Sequence, residues 1–407
     1  MSLRLLILTQ YFPPEVGAPQ ARLSEIALRL QQRGVEVEVL TAMPSYPTGR
    51  IFKGWRGRWF MRDQWQSLPV LRSFVYPTQS ARTLPRLLNY FSFVLSSAFV
   101  GAFMARRCDV VLVESPPLFL GLAGVVIKLA KRSCMVLNVS DLWPETAVAL
   151  GLYDRRSLSV RLATALETAL YRASAVVTGQ SDGIVRGVLE RHPRGQAVLV
   201  PGGVDCNRFS PTWRDRSRLV PLGCEGKFVV GYAGLIGIAQ GIGLLLDVAQ
   251  RLAHHAGIVF LIVGDGPQRR ELEQRAGPNV VFGGLWPKEQ MPSLVASFDV
   301  ALIPLVTRIP GALPSKMYEA MASEVPIVLA ADGDPRQLLE RAGAGLAAPY
   351  EDAAAVAAAV LRLHEDPASA LAFGQAGRRY VIEHHRREVT AERMHAALEL
   401  AVSGAQS

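Results

Sequence analysis

The chain has 407 residues, half of them apolar, which is material for two ordinary domains with cores of their own. Its four cysteines, Cys108, Cys134, Cys206 and Cys224, are scattered and never spaced as CxxC, which argues against structural zinc or a disulfide framework and favours a reducing compartment. The net charge is +9, and residues 1–110 alone carry +8, with thirteen Arg and one Lys against four Glu and two Asp. A first half so basic calls for an anionic partner: a membrane surface, a nucleic acid or a pyrophosphate-bearing acceptor.

All seven histidines lie at or after His192, so a histidine-based site in the first half is excluded. The opening MSLRLLILTQ reads as a strand and is too short for a signal peptide. Leu3 to Thr9 is a continuous apolar run, as expected of a parallel strand covered on both faces. YFPPEVGAPQARL then enters a helix with Leu23, Ile26, Ala27 and Leu30 on its apolar face, ended by Arg33-Gly34 before a strand at Val35 to Leu40. Gly17 stands where the backbone approaches a ligand closely, or is a plain loop glycine; the stretch is not GxGxxG.

Residues 46–62, YPTGRIFKGWRGRWFMR, mix Arg50, Lys53, Arg56, Arg58 and Arg62 with Phe52, Trp55, Trp59 and Phe60. Rings and cations interleaved in this way suit a membrane headgroup layer or stacked single-stranded nucleic acid, or form a basic loop folded onto its own domain. Leu87 to Ala105 has no charge, is flanked by Arg86 and Arg106-Arg107, and approaches the ~20 residues of a spanning helix. Asn89, three serines and Gly101 dilute it, so a buried or half-inserted helix is expected. A true span would put Asp109 to Val113 on the far side from the first strands.

The alternation continues with strand Val110 to Val113, helix Leu118 to Lys131 and strand Met135 to Val139. Asp141 follows just past that strand, placed for a cleft or as a turn cap. Helix Ser157 to Tyr171, strand Ala175 to Thr178, helix Asp182 to Arg191 and strand Ala197 to Val200 complete the first unit. VPGGVDCNRFSP breaks the pattern and, with the polar segment to Gly226, reads as a hinge.

A second series opens at Lys227 to Gly231. GYAGLIG has GxxGxxG spacing, but the acid of a dinucleotide fingerprint is missing, so a glycine turn facing a ligand is the better reading. Strands at Ile258 to Val263, Val280 to Phe282 and Val300 to Pro304 lead to PLVTRIPGALPSKMYEAMASEVPIVLA. There a loop carrying Arg308 and Gly311 opens a helix at Pro314-Ser315, and Lys316 and Glu319 share one face of it. A loop after a parallel strand entering a helix N-terminus is where an open α/β sheet binds anions. The pair is otherwise an ordinary surface Lys–Glu contact. Helices over 352–363, 368–385 and 389–401 close the chain.

The order of these pieces resembles a GT-B glycosyltransferase, specifically the retaining family 4 enzymes. PGGVDCNRF, YAGLIGIAQG, FLIVGDGP, VVFGGLW and LPSKMYEAMASEVPIV stand in register over the second half. FPPEVGAPQ, MPSYPTGR, LLNYFSF and SDLWPE, with GxxGxAQG and LPSK, are similar to a branch acting on O-antigens and colanic acid, which includes N-acetylfucosaminyl and fucosyl transferases. The resemblance implies two Rossmann-like doubly wound α/β domains facing across a cleft. Residues 1–203, with the C-terminal helix 387–407 packed back, would bind acceptor, and residues 204–386 the donor.

It also implies a retaining transfer from a nucleotide-diphosphate sugar, UDP and an N-acetylated or deoxy hexose being expected, to a polyprenyl pyrophosphate-linked saccharide. No metal, cofactor or nucleic acid is implied. The protein would sit in the cytoplasm on the inner face of a bacterial plasma membrane. Glu319 matches the second glutamate of the E-x7-E element and would hold the donor ribose. The first glutamate falls at Gly311, the pyrophosphate-binding Arg and Lys at Leu235 and Gln240, and a histidine at Ser140. Lys316, with Arg308 beside it, is expected to replace the missing cations.

Asp141, Lys316 and Glu319 are the catalytic candidates. Gly17, Gly234, Gln240, Leu285, Arg308, Gly311, Ala312 and Leu313 join the last two as donor contacts. Trp55, Arg56, Arg58 and Trp59 are the membrane and acceptor candidates. Two further classes fit the same chain: a non-catalytic nucleotide-sugar-binding subunit, and a GT-B epimerase that would need no acceptor.

Overall fold

The computed structural model describes residues 2–80, 82–306 and 309–404, which form two compact units. Unit 1 comprises residues up to Pro201 together with those from Thr390 onward, and unit 2 runs from Gly202 to Val389.

Unit 1 begins β1 (Arg4–Leu8), α1 (Ala18–Gln32), β2 (Glu36–Ala42), β3 (Phe60–Trp65), β4 (Leu68–Ser73), α2 (Thr83–Phe103) and β5 (Val110–Ser115). It continues α3 (Leu120–Lys131), β6 (Cys134–Val139), α4 (Glu145–Ala149), α5 (Leu158–Ala173), β7 (Val176–Gly179), α6 (Asp182–Arg191) and β8 (Ala197–Leu199). Its eight strands are ordered β3-β4-β2-β1-β5-β6-β7-β8, all parallel except the edge strand β3. Val111 and Val113 of β5 enter one core and Val110 and Leu112 the other, the period-two signature of a strand buried on both faces.

The β3–β4 hairpin was not legible in the sequence. Its alternation is irregular, and its one apolar run, Leu68 to Leu71, is broken by Pro69. It is held by Arg72, fully buried, whose Nε donates to Asp63 at 2.6 Å. Strand β5 pairs directly with β1, Leu5 opposite Val110, so a membrane cannot lie between them and α2 does not span one.

Unit 2 contains β9 (Phe228–Ala233), α7 (Gly243–Arg251), β10 (Ile258–Val263), α8 (Arg269–Arg275), β11 (Val280–Gly284), α9 (Met291–Ala296) and β12 (Val300–Pro304). Then come α10 (Ser315–Ala322), β13 (Ile327–Ala330), α11 (Asp334–Ala342), β14 (Gly345–Ala348), α12 (Ala353–Glu365) and α13 (Pro367–His384), after which α14 (Arg387–Ser403) belongs to unit 1 from Thr390. The sheet is fully parallel, ordered β11-β10-β9-β12-β13-β14. Strand β10 divides its residues by the same period, Val259, Leu261 and Val263 to one side and Ile258, Phe260 and Ile262 to the other. Met394, Ala397, Leu398 and Ala401 of α14 are buried in the core of unit 1.

The segment from Pro211 to Gly226 departs from the hinge expected of it. Leu219 and Cys224 are buried in the unit 2 core, and Arg214 and Arg216 both reach Asp299, so this stretch is a fixed wall of unit 2.

Candidate functional site

In unit 2 the site grows from the carboxyl ends of β9 and β12. Strand β12 stops at Pro304, and Pro314 sets the backbone for α10, whose first turn has N–H groups without intrahelical partners. Met317, Ala320 and Met321 face the core, which leaves Lys316 and Glu319 half-buried on another face. Among the described residues neither takes a direct hydrogen-bond or ion-pair partner. The Lys316 ammonium lies 5.2 Å from the Tyr232 ring centroid, a cation–π contact, and Tyr232 donates its hydroxyl to the Leu235 carbonyl at 2.7 Å.

Burial lowers the Lys316 pKa, and the nearby Glu319 charge only partly restores it. Burial raises the Glu319 pKa against the pull of Lys316 and Arg208. Two opposite charges one helical turn apart, both desolvated and neither satisfied, are poised for an anion and for hydroxyl donors.

Gly234 makes room for this lysine. It has φ +147°, and a Cβ there would lie 2.3 Å from Lys316 Cε and 2.7 Å from Nζ. Gly234→Ala is therefore expected to cost about 1–3 kcal/mol of stability from the backbone. It should also push Lys316 off Tyr232, lowering turnover in the same direction as removal of the lysine. Denaturant unfolding and turnover of the variant check both, and unchanged turnover would show that the lysine position is not set by this glycine. The glycines of GDGP serve packing: a Cβ on Gly264 would meet the Gly234 carbonyl oxygen at 1.8 Å, and one on Gly266 that of Ile236 at 2.2 Å.

Gly311 stands at φ +76° with its N–H donated to Asp334 at 3.0 Å. A glutamate in that backbone would be strained, so the missing carboxylate goes with a changed loop conformation. Ala312 and Leu313 follow in the same half-buried loop, Leu313 packing on the core. Gln240 ends a short 3-10 turn beside Gly237. Leu235, Ile238 and Leu285 are exposed near the ends of β9 and β11, an apolar rim that includes Leu235, where the resembling enzymes would carry a cation. Arg308 lies outside the described residues. Arg208 was not singled out by sequence reasoning. It comes from PGGVDCNRF, donates to the Lys288 carbonyl at 2.6 Å and acts on Glu319 through space.

In unit 1, Gly17 caps α1 in an extended conformation, and only the flexible tip of Gln20 crowds a Cβ there. Asp141 lies past β6, half-buried, its carboxylate accepting from the Thr146 hydroxyl, and burial raises its pKa. Next to it is a polar cluster that sequence reasoning missed. Arg22 donates to Glu114 and, at 2.7 Å, to Ser140, whose hydroxyl donates to Glu114. Asn138 donates to the other Glu114 oxygen at 2.5 Å. A glutamate ending the apolar run VVLVE was the available signal. Glu15 of FPPE is also buried, accepting from the N–H groups of Ser45 at 2.7 Å and Tyr46 at 2.8 Å, which ties the two N-terminal loops together.

The helix after Asp141 is clamped from behind. Arg191 forms ion pairs with Glu145 at 2.6 Å and Glu167 at 3.0 Å, and Tyr171 donates to Glu167 at 2.7 Å. Burial still pushes the Glu167 carboxyl up to about 7, from 4.5. The folded state therefore holds a proton that the unfolded chain releases. The stability this contributes is present below pH ~4.5 and lost as pH rises to ~7, about 3 kcal/mol for this group. Glu167→Gln should flatten that slope in urea titrations across this range; an unaltered slope would assign the pH dependence to another group.

Of the membrane candidates, Trp55 departs from expectation. It is half-buried, with its indole N–H on Asp63 at 3.3 Å and Arg72 over its ring at 5.6 Å. Arg56 and Arg58 are exposed, and Trp59 is 74% exposed, stacked on Phe74 at 4.6 Å.

Two doubly wound α/β units, the second with a lysine and a glutamate at the mouth of its sheet that take no hydrogen-bond or ion-pair partner among the described residues, fit the GT-B class. The comparisons agree: residues 17–203 match the glycosyl transferase 4-like domain and residues 227–366 match glycosyl transferases group 1. The chain belongs to this glycosyltransferase family. It is 26% identical to the Escherichia coli glycosyl transferase WcaI, named for colanic acid biosynthesis, over 79% of this chain and 81% of that one. It is 29% identical to the 2-deoxystreptamine N-acetyl-D-glucosaminyltransferase of Streptomyces fradiae, over 87% and 86%. Among solved structures, sucrose-phosphate synthase from Thermosynechococcus elongatus superposes with a TM-score of 0.76 at 18% identity, over 97% and 98% of the two chains. Anabaena HepE in complex with UDP gives 0.74 at 16%, over 98% and 100%.

Proposed function

We propose that this glycosyltransferase moves an N-acetylated or deoxy hexose from UDP, with retention of configuration, to a polyprenyl pyrophosphate-linked saccharide during assembly of a cell-surface polysaccharide such as an O-antigen. The observation that carries the reading is the Lys316–Glu319 pair beside Gly234, which takes no hydrogen-bond or ion-pair partner among the described residues. Lys316 and the first-turn N–H groups of α10 neutralise the donor pyrophosphate, with Arg308 contributing. Glu319 accepts hydrogen bonds from the two ribose hydroxyls. Gln240, Leu285, Ala312 and Leu313 line the donor, and Asp141 orients sugar or acceptor hydroxyls.

No side chain is assigned as base. The departing phosphate takes the acceptor proton as the new glycosidic bond forms on the face the nucleotide leaves. No metal is needed in this scheme, since Lys316 supplies the charge at the leaving group.

WcaI and HepE support the polysaccharide and UDP parts of the reading by their names. The acceptor places the protein in the cytoplasm, peripheral on the inner face of the plasma membrane, with Arg56, Arg58 and Trp59 toward anionic lipid. Purified protein offered a panel of nucleotide sugars, with and without a lipid-linked acceptor, should release UDP from one of them only when acceptor is present. Interconversion of the sugar without acceptor would replace transfer by epimerisation, and donor binding without turnover on any acceptor would make the chain a binding subunit.

A further inference from the structure

The loop before β3 shapes an open concavity of about 550 Å³ on unit 1. Arg50, Lys53 and Arg56 line it with Thr48, Phe52 and Gln79, and no carboxylate does. The wall is fixed: Gln79 donates to the Pro47 carbonyl at 2.7 Å and Arg56 Nε to the Ile51 carbonyl at 2.8 Å. Three cations held together without a counter-charge repel one another, and an anion of more than unit charge relieves that repulsion.

A second, independent feature adjoins it. Leu84, Leu88, Phe91, Leu95, Phe99 and Phe103 recur at helical spacing along α2 and are all exposed, while Phe93, Val94 and Val100 on its other face are buried. The stripe runs roughly 28 Å. Leu122, Val126 and Leu129 of the neighbouring α3 are exposed as well, and Phe91 packs on Phe119 at 4.8 Å. Trp59 joins from the other side, since the carbonyl of its stacking partner Phe74 accepts from Ser96 of α2. Arg82 and Arg86 stand at one end of the helix and Arg106 and Arg107 at the other. Only three residues lie between Gln79 and the start of α2 at Thr83, so helix and concavity begin within ~14 Å of each other along the chain.

A long apolar chain ending in a multiply charged phosphate satisfies both features. A nucleic acid would leave the stripe in water, and a second copy would bring its own unpaired cations. We infer that the Arg50/Lys53/Arg56 concavity binds the pyrophosphate of an isoprenoid-linked acceptor while α2 lies in the plane of the leaflet that carries it. This rests on the reading of the acceptor as lipid-borne. It assigns membrane contact to the α2 stripe and Trp59, and anion recognition to residues 50–56.

The test uses the full chain with neutral phosphatidylcholine vesicles. One set contains a low mole fraction of polyprenyl pyrophosphate, the other phosphatidylglycerol at matched charge. The parent should prefer pyrophosphate vesicles by about tenfold or more, as expected of charge-assisted hydrogen bonds. Arg50→Gln with Lys53→Gln should abolish the preference, with phosphatidylglycerol binding falling by no more than the about thirtyfold expected from losing two surface cations. Leu95→Asp with Phe99→Asp should release the protein from both vesicle types with its circular dichroism unchanged.

Equal binding to both vesicle types by the parent would overturn the assignment, as would a preference that survives loss of Arg50 and Lys53. Equally tight binding of inorganic pyrophosphate would assign the concavity to a soluble anion, and tighter capture of a single-stranded oligonucleotide would assign it to nucleic acid. A parent dimer made monomeric by the Leu95/Phe99 changes would give the stripe to a second copy. UDP binding measured by calorimetry on the same proteins reports on the donor reading separately, so a failure there is distinguishable from a failure of the lipid seat.

Discussion

Replacing Lys316 by alanine is expected to lower kcat by about 10²–10³-fold, about 2.7–4 kcal/mol of transition-state stabilisation, while the fold stays intact. The leaving group gains charge as the glycosidic bond breaks, and the described residues near α10 offer little else to meet it. Leu235 and Gln240 occupy the positions where the resembling enzymes carry cations, and Leu235 is an exposed apolar side chain. Lys316 is already desolvated and held over Tyr232, so it needs little rearrangement to act. Because the interaction strengthens as charge develops, kcat should fall more than the donor Kd rises. Lys316→Arg should recover only part of the loss, since a planar guanidinium does not fit the space that Gly234 leaves for an ammonium. Single-turnover kinetics at saturating donor measure this, and a fully active Lys316→Ala would place the phosphate cation elsewhere.

The sequence showed the fold wherever a physical pattern repeats. Continuous apolar runs such as Phe260 to Val263 have no other home than a parallel sheet covered on both faces, and helices such as Asp182–Arg191 stand at their expected bounds. The β3–β4 hairpin escaped because Arg72 and Asp63, charged residues that read as surface, carry its buried pairing. Trp55 escaped for the same reason. An aromatic among arginines reads as exposed until Asp63 and Arg72 are known to surround it.

At the site, the proximity of Lys316 and Glu319 followed from helical spacing, whereas the contribution of Gly234 needed the crossing of two loops distant in sequence. Arg22, Glu114 and Ser140 meet over separations of 26 to 118 residues, which no local pattern encodes. The apolar stripe of α2 was visible as composition alone. Which of its faces was open depended on how it packs against α3 and the hairpin.

Glu319→Ala is expected to weaken donor binding by at least about tenfold, since charge-assisted hydrogen bonds contribute about 1.5–3 kcal/mol. Burial disfavours the free carboxylate, and Lys316 and Arg208 offset that only through space, with no hydrogen bond to it from the described residues. Two ribose hydroxyls would supply the carboxylate with direct hydrogen bonds. Two consequences separate this role from that of a helix-surface residue. Glu319→Gln keeps the shape and one acceptor oxygen but loses the charge, so it should recover a minor part of the affinity, whereas a surface residue would be indifferent to either change. A donor analogue lacking the ribose 2′- and 3′-hydroxyls should bind the parent and Glu319→Ala equally, because the partner of the carboxylate is gone in both cases. Isothermal titration of UDP and of its dideoxy analogue against the three proteins reads the whole cycle. Unchanged UDP affinity in Glu319→Ala, or the same loss with both ligands, would remove Glu319 from the ribose and leave it a structural neighbour of Lys316.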